Sequence, residues 1–166
     1  MNTEMKDKLQ KWLADEGLFR EPMPDERANF HFKVSFPKGS PANLDVVQLK
    51  GKDDKVVIAA GVTVDQVHVE KMAALTTEKK DEFIWAMREL LNSFPVGFQM
   101  NHPEKVLQGF MVTAEIYEDG LSKDRFMSAI LDVHRAKLAG VWEINKRFGT
   151  QGITRQEGKD DFSHYA

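Results

Sequence analysis

The strongest constraint on the fold is a strict alternation of apolar and polar residues in the segment 30–36. Every second position holds a large apolar residue: Phe30, Phe32, Val34 and Phe36. Because successive side chains of a β-strand point to opposite faces of the sheet, this period of two predicts a strand with one apolar face. Proline and glycine in residues 37–41 end the strand. The chain must therefore build a sheet that is buried on at least one face.

Two more strands are predicted directly after this one, at residues 44–50 and 55–62. The Gly-Lys-Asp-Asp segment between them, residues 51–54, is short enough to join antiparallel neighbours. Residues 56–62 are apolar almost without interruption, which is typical of a central strand or of a strand buried on both faces. The three strands together predict an antiparallel meander.

Helical spacing of apolar residues predicts three amphipathic helices around these strands. The first begins near Thr3 and stops at Gly17, the second begins at Thr76 or Thr77 and is closed by Pro95, and the third runs from the N-cap Ser122 to about residue 148. Residues 20–27 contain two prolines and several charges, which predicts a loop.

Two connecting regions complete the pattern. The Thr-x-x-Gln capping box that begins at Thr63 predicts a short helix over residues 65–75, with a bulged continuation of the strand as the alternative. Residues 96–100 and 106–117 predict a two-stranded hairpin.

These elements predict an α+β fold in which helices pack on an antiparallel sheet. The predicted order is helix, three-strand meander, helix, two-strand hairpin and long C-terminal helix. A length of 166 residues fits one domain, which we expect to span residues 1–149. The polar, glycine-containing residues 150–166 are expected to form a mobile tail.

Charge and composition exclude several classes of function. The 23 basic residues are balanced by 26 acidic ones, and a pI near 6.0 argues against nucleic acid as a partner. The chain has no cysteine, so it has neither disulfides nor a thiolate site. No apolar run approaches the ~20 residues of a membrane span, and the first residues lack the apolar core of a signal peptide. We therefore expect a cytoplasmic protein without membrane contact.

No motif for catalysis, a cofactor or a metal is present, so we expect no enzymatic activity. The Gly-x-Ser-x-Gly and phosphate-loop patterns are absent. Two histidine and glutamate pairs, His68 with Glu70 and His102 with Glu104, could line a pocket if the fold brought them together. Neither pair has the helical histidine spacing of a zinc site, and no bound metal is expected.

Aromatic residues near the end of the first helix are the candidates for contacting a partner. Trp12 and Phe19 could pack in the core or line an exposed groove. An extended polypeptide could bind beside them or add to an edge of the sheet.

The element order resembles the type III secretion chaperone-like (YbjN-like) fold over residues 3–148. The segments Val-Ile-Ala-Ala-Gly at 57–61 and Glu-Phe-Ile-Trp-Ala-Met-Arg-Glu-Leu at 82–90 are also similar to a small family of uncharacterised cytoplasmic proteins with that fold. The resemblance implies homodimerisation and the binding of unstructured polypeptide, and it supplies no active site.

The sequence therefore predicts a non-catalytic protein-interaction module that binds an extended client segment as a homodimer, in a chaperone-like manner. Two alternatives stay open. One is a small-molecule or metal-binding protein or enzyme that uses a His/Glu pocket. The other is a purely structural dimer without a client.

Overall fold

The computed structural model describes residues 3–150. Four α-helices and six strands follow one another: α1 (Thr3–Asp15), β1 (Phe19–Pro22), β2 (Ala28–Val34), β3 (Leu44–Leu49), β4 (Lys55–Thr63), α2 (Gln66–Ala73), α3 (Thr77–Asn92), β5 (Gly97–Asn101), β6 (Gly109–Tyr117) and α4 (Lys123–Phe148). Within these residues, no helix is both long and apolar enough to cross a membrane. Residues 151–166 of the predicted tail lie outside the described residues.

The strands form one open antiparallel sheet in the order β1-β2-β3-β4-β6-β5. This confirms the α+β class and the predicted order of elements. The apolar strand β4 lies between β3 and β6, which confirms its central position. The meander predicted from the alternating pattern corresponds to β2, β3 and β4.

The described chain divides into two compact units. The first comprises residues 3–60 and 113–134, and the second comprises residues 61–112 and 135–150. Whether residues 1–149 fold as a single domain stays a prediction.

In the first unit, the alternating pattern of β2 separates a core face from a polar face. Phe30, Phe32 and Val34 are buried in the core. The register pairs Phe32 with Val46 on this face and Lys33 with Asp45 on the other. Since directly paired residues of antiparallel strands share a face, β2 and β3 place their charged residues together.

Two local predictions are wrong. Residues 20–22, expected to begin a loop, belong to the edge strand β1, because a proline is tolerated where its missing N–H would face solvent. The short helix α2 is confirmed, but its N-cap is Asp65 rather than Thr63. The Asp65 side chain accepts a hydrogen bond from the Val67 amide, which satisfies a free donor of the first turn.

In the second unit, α4 packs very closely on β6. At Gly140 an added Cβ would collide with the ring of Phe110, so only glycine allows this approach. The phenyl rings of Phe83 on α3 and Phe148 on α4 meet edge to face, with centroids 5.0 Å apart. These contacts place one side of α3 against α4.

Candidate functional site

The two aromatic candidates for partner binding both pack against core rings of the first unit. The Trp12 ring is half-buried, with its centroid 6.1 Å from that of Phe126. Phe19 meets Phe32 edge to face at 5.4 Å. None of the described ring contacts joins Trp12 to Phe19. Their role in binding a partner stays a prediction, and the packing gives both a structural role.

The two histidine and glutamate pairs lie on different elements of the second unit. His68 on α2 is buried, and its Nε2 is 2.7 Å from the Gly149 carbonyl oxygen. His102 follows β5, and its Nε2 is 3.4 Å from Nη2 of Arg88. Glu70 and Glu104 are both exposed. The described contacts hold each histidine separately, and a shared pocket stays a prediction.

Residues 3–150 contain no group of three or more histidine, aspartate or glutamate side chains arranged to hold a metal ion. The described structure therefore offers no metal centre around which to build a site.

The polar face of β2 and β3 holds a cluster that the sequence did not reveal, formed by Asp25, His31, Lys33 and Asp45. The His31 ring lies between two carboxylates, with Nδ1 3.1 Å from Asp25 and Nε2 2.6 Å from Asp45. Nζ of Lys33 lies 2.8 Å from the same Asp45 oxygen. Asp45 is fully buried and His31 nearly so. We call these four residues the charge cluster.

The geometry of the charge cluster suits a structural role. Each ring nitrogen of His31 lies against a carboxylate oxygen, so both nitrogens are engaged within the fold. The Lys33 ammonium forms an ion pair with the buried Asp45 carboxylate. With both ring nitrogens occupied and the ring buried, His31 offers no nitrogen to a substrate. The cluster instead fixes the loop that carries Asp25 onto β2 and β3.

The two edges of the sheet differ in their protection against pairing with another chain. Strand β1 carries Arg20, Glu21 and Pro22, and its register with β2 is interrupted between Phe19 and Glu21. Charges, proline and irregular register are common ways to block an exposed edge. Strand β1 is therefore a poor template for an added strand.

Strand β5 is the opposite edge and has none of these features. Its sequence, Gly-Phe-Gln-Met-Asn, contains no charge and no proline. The Asn101 carbonyl accepts a hydrogen bond from the Gln108 amide at 2.8 Å, so this carbonyl faces the β6 side. Because main-chain groups alternate along a strand, the amides and carbonyls of Phe98 and Met100 point to the open edge. These groups can pair with an incoming strand.

One side of α3 borders the end of this edge. Arg88 reaches His102 directly after β5, and Lys105 forms an ion pair with Asp81 at 3.0 Å. Trp85, one turn before Arg88, is 58% exposed, and the Arg88 guanidinium lies 4.9 Å from its ring centroid. An exposed indole is therefore linked through Arg88 to the residue that directly follows β5. We call β5 together with Trp85, Arg88 and His102 the edge site.

The edge site was missed by the sequence analysis, although one signal for it was present. The apolar positions of α3 form a stripe that includes Phe83, Ile84, Met87 and Leu91. Trp85 lies off this stripe, on the polar side of the helix, where a large aromatic residue has no core to fill. That β5 would be an edge depends on strand order, which local patterns do not encode.

Comparison with known proteins places the chain in a family. Residues 5–144 match the family model described as "Uncharacterized conserved protein (DUF2299)". The chain belongs to this family. A crystal structure of an uncharacterised protein from Methanothermobacter thermautotrophicus is 46% identical, with a TM-score of 0.82, over 87% of this chain and 99% of the other.

A more distant similarity concerns the fold alone. The crystal structure of YbjN from E. coli, a candidate transcription regulator, has a TM-score of 0.51 and 15% identity, over 85% of this chain and 91% of YbjN. This supports the YbjN-like fold implied by the sequence resemblance. A search of the curated proteins gave no match. Neither similarity assigns a chaperone role.

Proposed function

We propose that this DUF2299 protein is a protein-interaction module that binds an extended polypeptide segment at its edge site, as an added strand beside β5. The observation that carries the proposal is the open edge of β5, which has neither a charge nor a proline along its length. Main-chain hydrogen bonds would supply affinity, and neighbouring side chains would supply selectivity.

The position of α3 supports an extended segment as the binding partner. Trp85 is linked through Arg88 to His102, directly after β5, and its exposed ring offers an apolar surface to a segment that extends past the end of the strand. Aromatic residues are common anchors at interfaces because they bury a large area at a low cost in conformational entropy. This mode of binding needs no catalytic group.

The test compares two substitutions at one position of the edge. Peptides of twelve residues selected from a random phage library on the wild-type protein serve as the probe, and their Kd is measured by fluorescence anisotropy. Met100→Pro removes an outward amide, whereas Met100→Ala removes the side chain and keeps the amide. We expect Met100→Pro to bind at least about tenfold more weakly than Met100→Ala, because a main-chain hydrogen bond is lost and the proline ring obstructs pairing.

Equal affinities of the two variants, or a selection that yields no binder, would contradict strand addition at β5. Circular dichroism of both variants verifies that each is folded. Proline is tolerated on edge strands where its nitrogen faces outward, so Met100→Pro is expected to keep the fold.

The proposal takes a polypeptide client as the partner and keeps the expected homodimer as a separate prediction. Light scattering of the wild type and of Met100→Pro separates the two. If the wild type is a dimer that Met100→Pro dissociates, a second copy occupies the edge and the client proposal fails. If the mass of the protein is the same with and without the substitution, the edge is free for a client.

A further inference from the structure

Arg88 is an arginine without an acidic partner at the border of the open edge. It is half-buried, its guanidinium stacks on Trp85, and its one described hydrogen bond goes to a histidine nitrogen of His102. Among the described residues, no carboxylate lies within ion-pair distance of this guanidinium. Its charge is therefore not neutralised by the part of the chain that the structure describes.

The sequence of α3 explains why Arg88 lacks such a partner. On a helix, side chains three and four residues apart are neighbours. For Arg88 these positions hold Ile84, Trp85, Leu91 and Asn92, none of which is acidic. The nearby acid Asp81 is already paired with Lys105. The neighbouring residues of α3 therefore orient the Arg88 guanidinium without neutralising its charge.

The available donors of Arg88 have a specific chemistry. A guanidinium has five N–H donors in a planar fork that matches the two oxygens of a carboxylate, and only one donor is occupied here. Contact with the Trp85 ring restricts the motion of the Arg88 side chain, so less entropy is lost when a ligand binds. The arrangement is suited to bidentate binding of a carboxylate.

We infer that the segment which adds to β5 carries a carboxylate that binds Arg88, beside the end of the strand near Asn101. This inference rests on the proposed strand addition and specifies the chemistry of the partner. The carboxylate can be an aspartate or glutamate side chain within the segment or the C-terminal carboxylate of the partner chain. Both sources present the same planar group to the guanidinium.

The test uses two phage libraries of random twelve-residue peptides, one displayed with a free C-terminus and one displayed internally. Enrichment of an acidic residue at one fixed position in both libraries indicates a side-chain carboxylate. Binders that come only from the library with a free C-terminus, and that lose affinity when amidated, indicate the terminal carboxylate. Either result supports the inference.

Variants of two basic residues of α3, Arg88 and Lys79, then test which residue contacts the peptide carboxylate. Arg88→Gln should weaken the selected peptides about tenfold or more, since a hydrogen-bonded charge pair is lost. Arg88→Lys keeps the charge without the planar fork and should lose less affinity. This variant is used in place of Arg88→Gln if the glutamine variant does not fold. Lys79→Gln removes a charge that is paired with Glu82, and should leave the affinity unchanged.

The outcomes separate this inference from the proposed function. Peptides that are sensitive to Met100→Pro, but show no acidic preference and bind Arg88→Gln as well as wild type, would overturn the carboxylate contact and leave strand addition standing. Peptides that are insensitive to Met100→Pro, or the absence of binders from both libraries, would overturn strand addition and the carboxylate contact with it. An equal loss in Lys79→Gln would attribute the effect to general charge and would also overturn the contact.

Discussion

The two edge strands of the sheet have opposite properties, although both are short and both flank helices. Strand β1 combines an arginine, a glutamate and a proline with an interrupted register, whereas β5 is uncharged and contains no proline. The features that protect an edge against pairing with another chain lie in the edge strand itself. In this sheet they occur in β1 and not in β5. The difference favours β5 as the place where another chain pairs.

The surroundings of the two edges differ in the same sense. The loop after β1 is fixed by the charge cluster, in which Asp25 and Asp45 enclose His31. Near β5, Arg88 contacts the ring of Trp85 and the side chain of His102. It has no acidic ion-pair partner among the described residues. The charge cluster is thus used within the fold, and the charge of Arg88 near β5 is available for binding.

The largest predicted effect concerns the charge cluster. Asp45→Ala should destabilise the protein by about 3–5 kcal/mol, because it leaves His31 and Lys33 close together without the buried carboxylate between them. Urea unfolding followed by circular dichroism measures the change. A loss below about 1 kcal/mol would show that the cluster contributes little to the stability of this region.

The next effect tests which amides of β5 face outward. Gln99→Pro removes an amide that faces β6 and should cost about 1–3 kcal/mol more than Gln99→Ala, because a ladder hydrogen bond is lost. Met100→Pro should be about as stable as Met100→Ala. The four unfolding free energies are compared under one condition, and equal penalties for the two prolines would contradict the assigned orientation of the strand.

The smallest effect concerns the ion pair of Lys55 on β4 with Glu115 on β6, in the first unit. Unlike the charge cluster, this pair is partly exposed. The hydrogen bond from Lys55 to the Glu115 carboxylate raises the lysine pKa above its usual value of 10.5. A raised lysine pKa stabilises the folded state below the unfolded-state pKa, and this contribution is lost as pH rises through the folded-state value.

Glu115→Gln should therefore lose at most about 1 kcal/mol at neutral pH, as is usual for partly exposed pairs. Above pH 10.5 its stability should fall less steeply than that of the wild type. Thermal unfolding at neutral and alkaline pH measures both profiles. Parallel profiles of the two proteins would contradict a stabilising role of the pair.

The sequence predicted most of the fold, because its periodic signals are strong and local. The alternation at Phe30–Phe36 and the caps Thr76 and Ser122 correspond to observed elements, since each depends on residues close in the chain. The prolines of residues 20–27 hid β1, because a short edge strand lacks the alternating pattern that a half-buried strand needs. Local patterns therefore identify core elements better than edges.

The candidate site was less predictable because it depends on strand order. The charge cluster joins Asp25, His31 and Asp45 from separate segments, and only the pairing register brings them together. The open edge of β5 depends on its place at the end of the sheet. Trp85 alone gave a local signal, as an aromatic residue off the apolar stripe of its helix.

Amide hydrogen exchange of β5, measured residue by residue by NMR, tests the central claim most directly. In the free protein, the amides of Phe98 and Met100 should exchange faster than that of Gln99, because the first two face the open edge. Addition of a selected peptide should then slow the exchange of Phe98 and Met100. Equal protection of the Phe98, Gln99 and Met100 amides in the free protein, or no change at Phe98 and Met100 on peptide binding, would contradict the proposal that β5 receives an added strand.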